Sequence, residues 1–337
     1  MKLDSRRLWP VFAASAVFSA VCASAAGFRA APLADYGEDR WTFGGDLGCS
    51  VVAGCAKEHV FSPKSAWLEY SKETGAPPEK SRHQFSRLDW DLVASMVGAS
   101  GSIRRNRFSL NAGVWYGGSG SDDLEMDDYD WLYGDKARHS HHSRSETELT
   151  DAWLFDANLS FDFFRGGDSA GYVFAGAREQ RWKWTCDGRA DLWYPDNGYV
   201  RVRTHGHDID YRQVLFFGYF GIGGKWKLAD NLNLDAYFSF APGYKGRDRD
   251  NHVTSEKYFI DSFDYDDGAV YGAGVSVEWR LSDSMSLVCA LDWQKATLHE
   301  GDLRVENLED GSIETEDDAA GIENGYVAAS FSGTYRF

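Results

Sequence analysis

Beyond its first two dozen residues, the 337-residue chain has no run approaching the ~20 apolar residues a membrane helix needs. A helical membrane protein is thereby excluded. Basic residues are in deficit, 35 Lys and Arg against 52 Asp and Glu, for a net charge of −17. That excess argues against nucleic-acid binding and favours cationic partners, which it can draw in from a distance. Cysteine is sparse. Cys49 and Cys55 lie six residues apart in one predicted strand, roughly 20 Å at the usual rise. A disulfide needs Cα atoms within about 7 Å. Cys289 falls at a lipid-facing position of an alternating segment, and Cys186 is the fourth cysteine outside the leader. No structural disulfide is expected. No Gly-x-Ser-x-Gly turn or phosphate-cradling loop is present either.

What is present begins with a leader. Lys2, Arg6 and Arg7 precede the mostly apolar stretch from Leu8 to Val21, and Ala23-Ser24-Ala25 is a small-x-small cleavage site. Residues 1–25 read as a secretory signal peptide and 26–337 as a single domain. Cleavage removes three basic residues and one acidic one, Asp4, which takes the charge to −19. The remaining chain is polar yet rich in aromatics and glycine and poor in proline, the weak signature of an outer-membrane barrel.

Alternation by twos carries this further. Trp153, Phe155, Ala157, Leu159, Phe161 and Phe163 share one face, opposite Asp156, Asn158, Ser160 and Asp162. Met285, Leu287, Cys289, Leu291 and Trp293 repeat the pattern, as do Leu232, Leu234, Ala236, Phe238 and Phe240. One apolar face at period two means a strand buried on one side. Runs of ten or more residues are long enough to cross a bilayer when tilted. Ten strands are predicted, at 41–61, 84–99, 105–118, 149–164, 170–186, 208–226, 231–246, 256–281, 285–298 and 323–337. Short turns near 100–104, 165–169, 227–230 and 282–284 alternate with long polar stretches at 62–83, 119–148, 187–207, 247–255 and 299–322. The expected fold is all-β, a ten-stranded antiparallel transmembrane barrel with long extracellular loops. Trp153, Phe161, Leu287 and Leu291 are expected to face outward. The last strand ends on Phe337, and a terminal aromatic suits such a barrel.

Two clusters in the long stretches could do chemistry. In Asp128-Tyr129-Asp130, extended chain puts both carboxylates on one face, about 6–7 Å apart at the Cα level. Neighbouring carboxylates resist ionising together, so the pair can hold a shared proton or a water. In Asp250-Asn251-His252 a carboxylate stands beside an imidazole, orienting it and stabilising its protonated form. Each alone also fits an ordinary acidic loop, and the Asp-rich stretch from Asp122 to Asp130 also fits a calcium loop. His139, His141 and His142, and the pair His205 and His207, lack Cys or Glu at zinc-ligand spacing. No metal site is assigned.

These residues resemble the omptins, outer-membrane proteases of Gram-negative bacteria. Asp128-Tyr129-Asp130-Trp131 is similar to the family's Asp-x-Asp-Trp motif, Asp250-Asn251-His252 to its Asp-x-His, and Ala320-Gly321-Ile322-Glu323-Asn324 to a segment opening its last strand. The resemblance implies a cell outer-membrane barrel, with an active site at the outer rim facing the outside. Asp128 and Asp130 would hold the attacking water from one wall, opposite His252 as general base oriented by Asp250. Glu58, after Lys57, and Asp248 would hold the basic residue before the cut. Substrates would be cationic peptides or proteins, no cofactor would be needed, and the chain would work as a monomer. The family also binds lipopolysaccharide as an activator on an outward patch. Here Glu179 and Arg181 are present with Lys183 beside them, but Ala177 and Val214 replace a Tyr and an Arg. The alternative is a non-enzymatic barrel, an adhesin or structural protein with acidic cation-binding loops. A diffusion pore fits less well, since open channels use about sixteen strands or more.

Overall fold

The computed structural model describes residues 41–62, 83–120, 123–131, 141–194, 198–253, 255–265 and 267–337, with backbone alone from 187 to 207. The leader assigned to 1–25 lies outside the described residues. Thirteen strands are described. In order they are β1 (Trp41–Phe61), β2 (Gln84–Arg105), β3 (Phe108–Gly118), β4 (Leu124–Asp130), β5 (His141–Gly166), β6 (Ser169–Tyr194) and β7 (Gly198–Ala229). There follow β8 (Leu232–Ala241), β9 (Lys245–His252), β10 (Lys257–Phe263), β11 (Val270–Arg280), β12 (Met285–Asn307) and β13 (Ile313–Arg336).

Their pairing builds two stacked rings of ten. In the lower ring β1, β2, β3, β5, β6, β7, β8, β11, β12 and β13 pair antiparallel in that order, and β13 closes on β1. In the upper ring β4 stands in for β3, while β9 and β10 stand in for β8 and β11. The breaks fall where the ladder is weakest. Pro242, which has no N–H to give, ends β8. Gly120 and Gly268 take positive φ, 67° and 73°, between β3 and β4 and between β10 and β11. The expected ten-stranded ring is thus correct. The strands expected at 231–246 and 256–281 are each divided, the first after Ala241 and the second between Phe263 and Val270.

Two other expectations need correction. The first turn sits at Asn106-Arg107, not at 100–104, because Arg105 pairs Phe108 and Asn106 takes the left-handed conformation, φ 53°. The described residues of 119–148, 187–207, 247–255 and 299–322 are largely strand. Above the bilayer water lies on both sides of the wall, so the apolar alternation that marks a strand disappears there. Strand β7 has 32 residues, roughly 100 Å of chain, far more than a bilayer requires.

The outer surface follows the membrane. Trp41, Trp226, Trp279 and Tyr335 mark one edge, and Tyr116, Tyr271 and Trp293 the other, around exposed Leu47, Leu110, Leu159, Ile222 and Leu291. Trp153, Phe161, Leu287 and Leu291 all lie on the outward side, as expected, opposite buried Asp156, Asn158, Asp162, Ser286 and Val288. The four cysteines outside the leader form no disulfide.

Polar side chains fill the interior. Arg178 Nε donates to Asp156 at 2.8 Å, and its Nη1 donates to Gln294 at 2.9 Å. Tyr219 donates to Asp156 at 3.0 Å, and Asn111 donates to Asn158 at 2.9 Å. Arg104 pairs with Asp162 at 2.6 Å. About 10 Å³ remains between Arg178, Tyr219, Tyr237 and Tyr326, room for at most one water. Around Arg178 the lumen is therefore packed rather than open. Asp156→Ala should leave the buried Arg178 guanidinium uncompensated and cost about 3–5 kcal/mol in urea unfolding from detergent micelles. An unchanged midpoint would show that this pair does not hold the core.

Candidate active site

The upper ring brings the two clusters to one place. Strand β4 forms between β2 and β5, with Asp128 opposite Leu88 and Asp130 opposite Ser86. Leu124 and Met126 are buried inward, so the same parity turns Asp128 and Asp130 to the lumen and Asp127 to the outside. Asp127 is thereby diverted from the site. It accepts from Arg144 Nε and from His142 Nε2, each at 2.8 Å. The ring of Tyr129 stacks on His142, with Arg87 over its other neighbourhood at 4.7 Å. These partners make Asp127 and His142 an outer brace. Asp122 and His139 lie outside the described residues, as do the side chains of His205 and His207.

Four strands along the ring, β9 presents Asp248 and Asp250 inward, each 1% exposed. His252 Nε2 meets Asp250 Oδ2 at 2.7 Å, and its ring lies edge-on to Phe259. Glu58 is inward on β1, 2% exposed. Outward neighbours at this level are charged. Lys57 and Lys295 pair with Glu323 at 2.9 and 2.7 Å, and Arg247 and Arg249 flank Asp248. The site therefore lies beyond the apolar band. Its floor is aromatic. Trp90 and Trp184 stack on Tyr211, whose hydroxyl donates to Asp248 Oδ2 at 3.1 Å.

The electrostatics confirm the proximity of the walls. Burial and the charges of Asp250, Asp248, Asp261 and Asp128 push the Glu58 carboxyl well above its ordinary range. Burial and Asp130 push Asp128 up to about 7, against the stabilising Ser86 hydroxyl, which donates at 3.2 Å, and His252. Burial also raises Asp130 and Asp250. For His252, burial works to lower the pKa, but the hydrogen bond and charge of Asp250 and the charge of Asp128 prevail and raise it. Glu58, Asp128, Asp248, Asp250 and His252 thus act on one another across one space, with Asp130 beside Asp128 on the same face of β4.

Sequence reading missed Asp261, fully buried on β10 opposite Asp248. Oxygens of Glu58, Asp248 and Asp261 lie within 4.8 Å of one another, close enough to share a cation. The hint was a lone acid in the otherwise apolar Tyr258-Phe259-Ile260 run, but its facing depends on a register the sequence does not reveal. On the outside of β6, Glu179, Arg181 and Lys183 share one face, with Arg181 donating to Glu179. The register adds Arg212 beside Lys183, Arg249 beside Arg212 and Arg247 beside Val214. The basic groups of this patch therefore continue onto β7 and β9.

Residues 67–337 match the model of the Omptin family. The plasminogen activator of Yersinia pestis is 26% identical over 290 residues, covering 84% of this chain and 88% of that protein. Outer membrane protease OmpP of Escherichia coli strain K12 is 24% identical over 342 aligned positions, 96% of each chain. The crystal structure of the Escherichia coli outer membrane protease OmpT superposes with a TM-score of 0.75 at 19% identity. That match spans 88% of this chain and 97% of the other, and it shows a shared fold.

Proposed function

Since this chain belongs to the omptin family, an outer-membrane family, we propose that it is an endopeptidase cutting next to basic residues by an Asp/His-activated water. The observation that carries this reading is the convergence of Asp128 and Asp130 on Asp250 and His252 from strands more than a hundred residues apart. A non-enzymatic barrel would have no use for that arrangement.

In the proposed mechanism Asp250 occupies His252 Nε2, which leaves Nδ1 as the nitrogen that accepts a proton. Asp128 and Asp130 hold a water from the other wall, Asp128 itself steadied by Ser86. Attack on the scissile carbonyl transfers the water's proton to His252, and the imidazolium that forms is stabilised by Asp250 and by the charge of Asp128. Glu58 and Asp248 hold the basic side chain before the cut by charge-assisted hydrogen bonds. The barrel closes on itself through the pairing of β13 with β1, so a monomer suffices.

Lipopolysaccharide is the proposed activator. Arg181 and Lys183 with Arg212, Arg247 and Arg249 make an outward basic patch at the level where lipid phosphates lie. The Arg missing at Val214 has Arg247 as its strand neighbour.

The test is cleavage of a dibasic fluorogenic peptide by the refolded protein, with and without lipopolysaccharide, from pH 5 to 8. Cleavage with stimulation by lipopolysaccharide is expected. No cleavage under either condition would end the proteolytic reading, and equal rates would end the activator reading. The pH profile has a definite sign. A general base works when neutral, and His252 titrates above the ordinary ~6.5 of imidazole. Activity should therefore be highest at pH 8 and fall as the pH drops toward 5. Asp128 takes up a proton around 7, over the same interval, and loses an acceptor for water. A profile flat from pH 5 to 8 would contradict this role for His252.

A further inference from the structure

The pocket for the basic side chain has three carboxylates, not the two that its expected members supply. Asp261 stands on β10 directly across from Asp248, and Glu58 completes the group from β1. None of the three side chains is more than 2% exposed. Among the described residues no donor from outside the group reaches Glu58 Oε2, Asp248 Oδ1 or either oxygen of Asp261. Among the described residues no Lys or Arg pairs with them, in contrast to Asp156 with Arg178 and Glu323 with Lys57. Burial, with the nearby charge and hydrogen bond of Asp248, pushes the Asp261 carboxyl well above its ordinary range. Buried carboxylates without partners are costly, so the cation that suits them comes from outside.

Shape decides which cation. Three oxygens no more than 4.8 Å apart share a point within about 2.8 Å of each, the length of an N⁺–H···O⁻ bond. An ammonium placed there has three donors, one for each carboxylate. A guanidinium is a planar fork that binds carboxylates side-on, along its edges, and suits two of them better than three around one point. We propose that Asp261 is a specificity residue that turns this pocket toward lysine over arginine before the cut. This inference rests on the proteolytic reading above. Asp261 can accept from the ammonium whether or not it keeps its proton, since the protonated acid still has a carbonyl oxygen.

The experiment compares kcat/KM for two peptides differing only in Lys or Arg before the scissile bond, using the wild-type protein, Asp261→Ala and Asp261→Asn. Wild type should prefer Lys. Asp261→Ala should lower the Lys-to-Arg ratio about tenfold or more, the loss of one charge-assisted hydrogen bond. Asp261→Asn, which keeps an acceptor oxygen, should fall between. Removing a buried acid that no Lys or Arg compensates should also raise the urea midpoint, so a folding defect cannot imitate the effect. Wild-type preference for Arg, or a ratio unmoved in Asp261→Ala, overturns the inference while cleavage itself leaves the proteolytic reading intact. Failure to cut either peptide removes that reading instead. Inhibition by millimolar Ca²⁺ in wild type but not in Asp261→Ala would make the triad a metal site and also overturn the inference.

Discussion

His252→Ala should lower turnover by at least ~100-fold, the usual size of a lost acid–base group, without unfolding the barrel. His252 sits on the upper ring, half-buried, with one side-chain partner in Asp250 and one ring neighbour in Phe259. Neither contact belongs to the packed lumen, so the lower ring should keep its heat-modifiable mobility on a gel. Asp128→Ala should lose a similar amount for a different reason, since it removes the water's acceptor on the opposite wall. The two losses should not add, because both groups act on the same water. A double variant that lost the product of the two effects would show that they work on separate steps. Near-normal cleavage by His252→Ala would refute the mechanism.

The second large effect concerns recognition. The Glu58→Gln, Asp248→Asn double variant should lose most of the preference for Lys or Arg over Ala before the cut. Each carboxylate lost removes a charge-assisted hydrogen bond in a dry setting, so the pair accounts for discrimination on the order of 10³-fold. The effect should fall on kcat/KM for basic peptides and spare the Ala peptide. Tyr211, whose hydroxyl accepts from Gln213 Nε2, holds Asp248 in place and can still donate to the Asn carbonyl, so the fold should tolerate the change. Unchanged discrimination between basic and Ala peptides would rule these residues out as the pocket.

The lower ring was legible because hydrocarbon outside and polar packing inside imprint a strict alternation. Asp156, Asn158, Ser160 and Asp162 betray the lumen by parity alone. The upper ring was not, since water wets both of its faces and polar residues occupy every position of stretches such as 247–252. The catalytic candidates were legible from short motifs in which parity survives, as in Asp128 and Asp130. Asp261 was illegible for the complementary reason. Its meaning comes from lying opposite Asp248, and no local pattern encodes which residue a strand will meet. The same holds for Arg247 beside Val214.

Seven strands run unbroken through both rings, and three positions are spliced, β3 to β4, β8 to β9 and β10 to β11. Asp128 and Asp130 ride on β4, Asp248, Asp250 and His252 on β9, and Asp261 on β10; Glu58 alone stands on a through-strand. The reactive groups therefore sit on tiles set into a frame. A tile can be exchanged, lengthened or shifted in register with no rethreading of the bilayer, because the ladder below it already ends at a proline or a left-handed glycine. Such a barrel can explore new specificities at its rim while the part that must insert and fold in the membrane stays fixed.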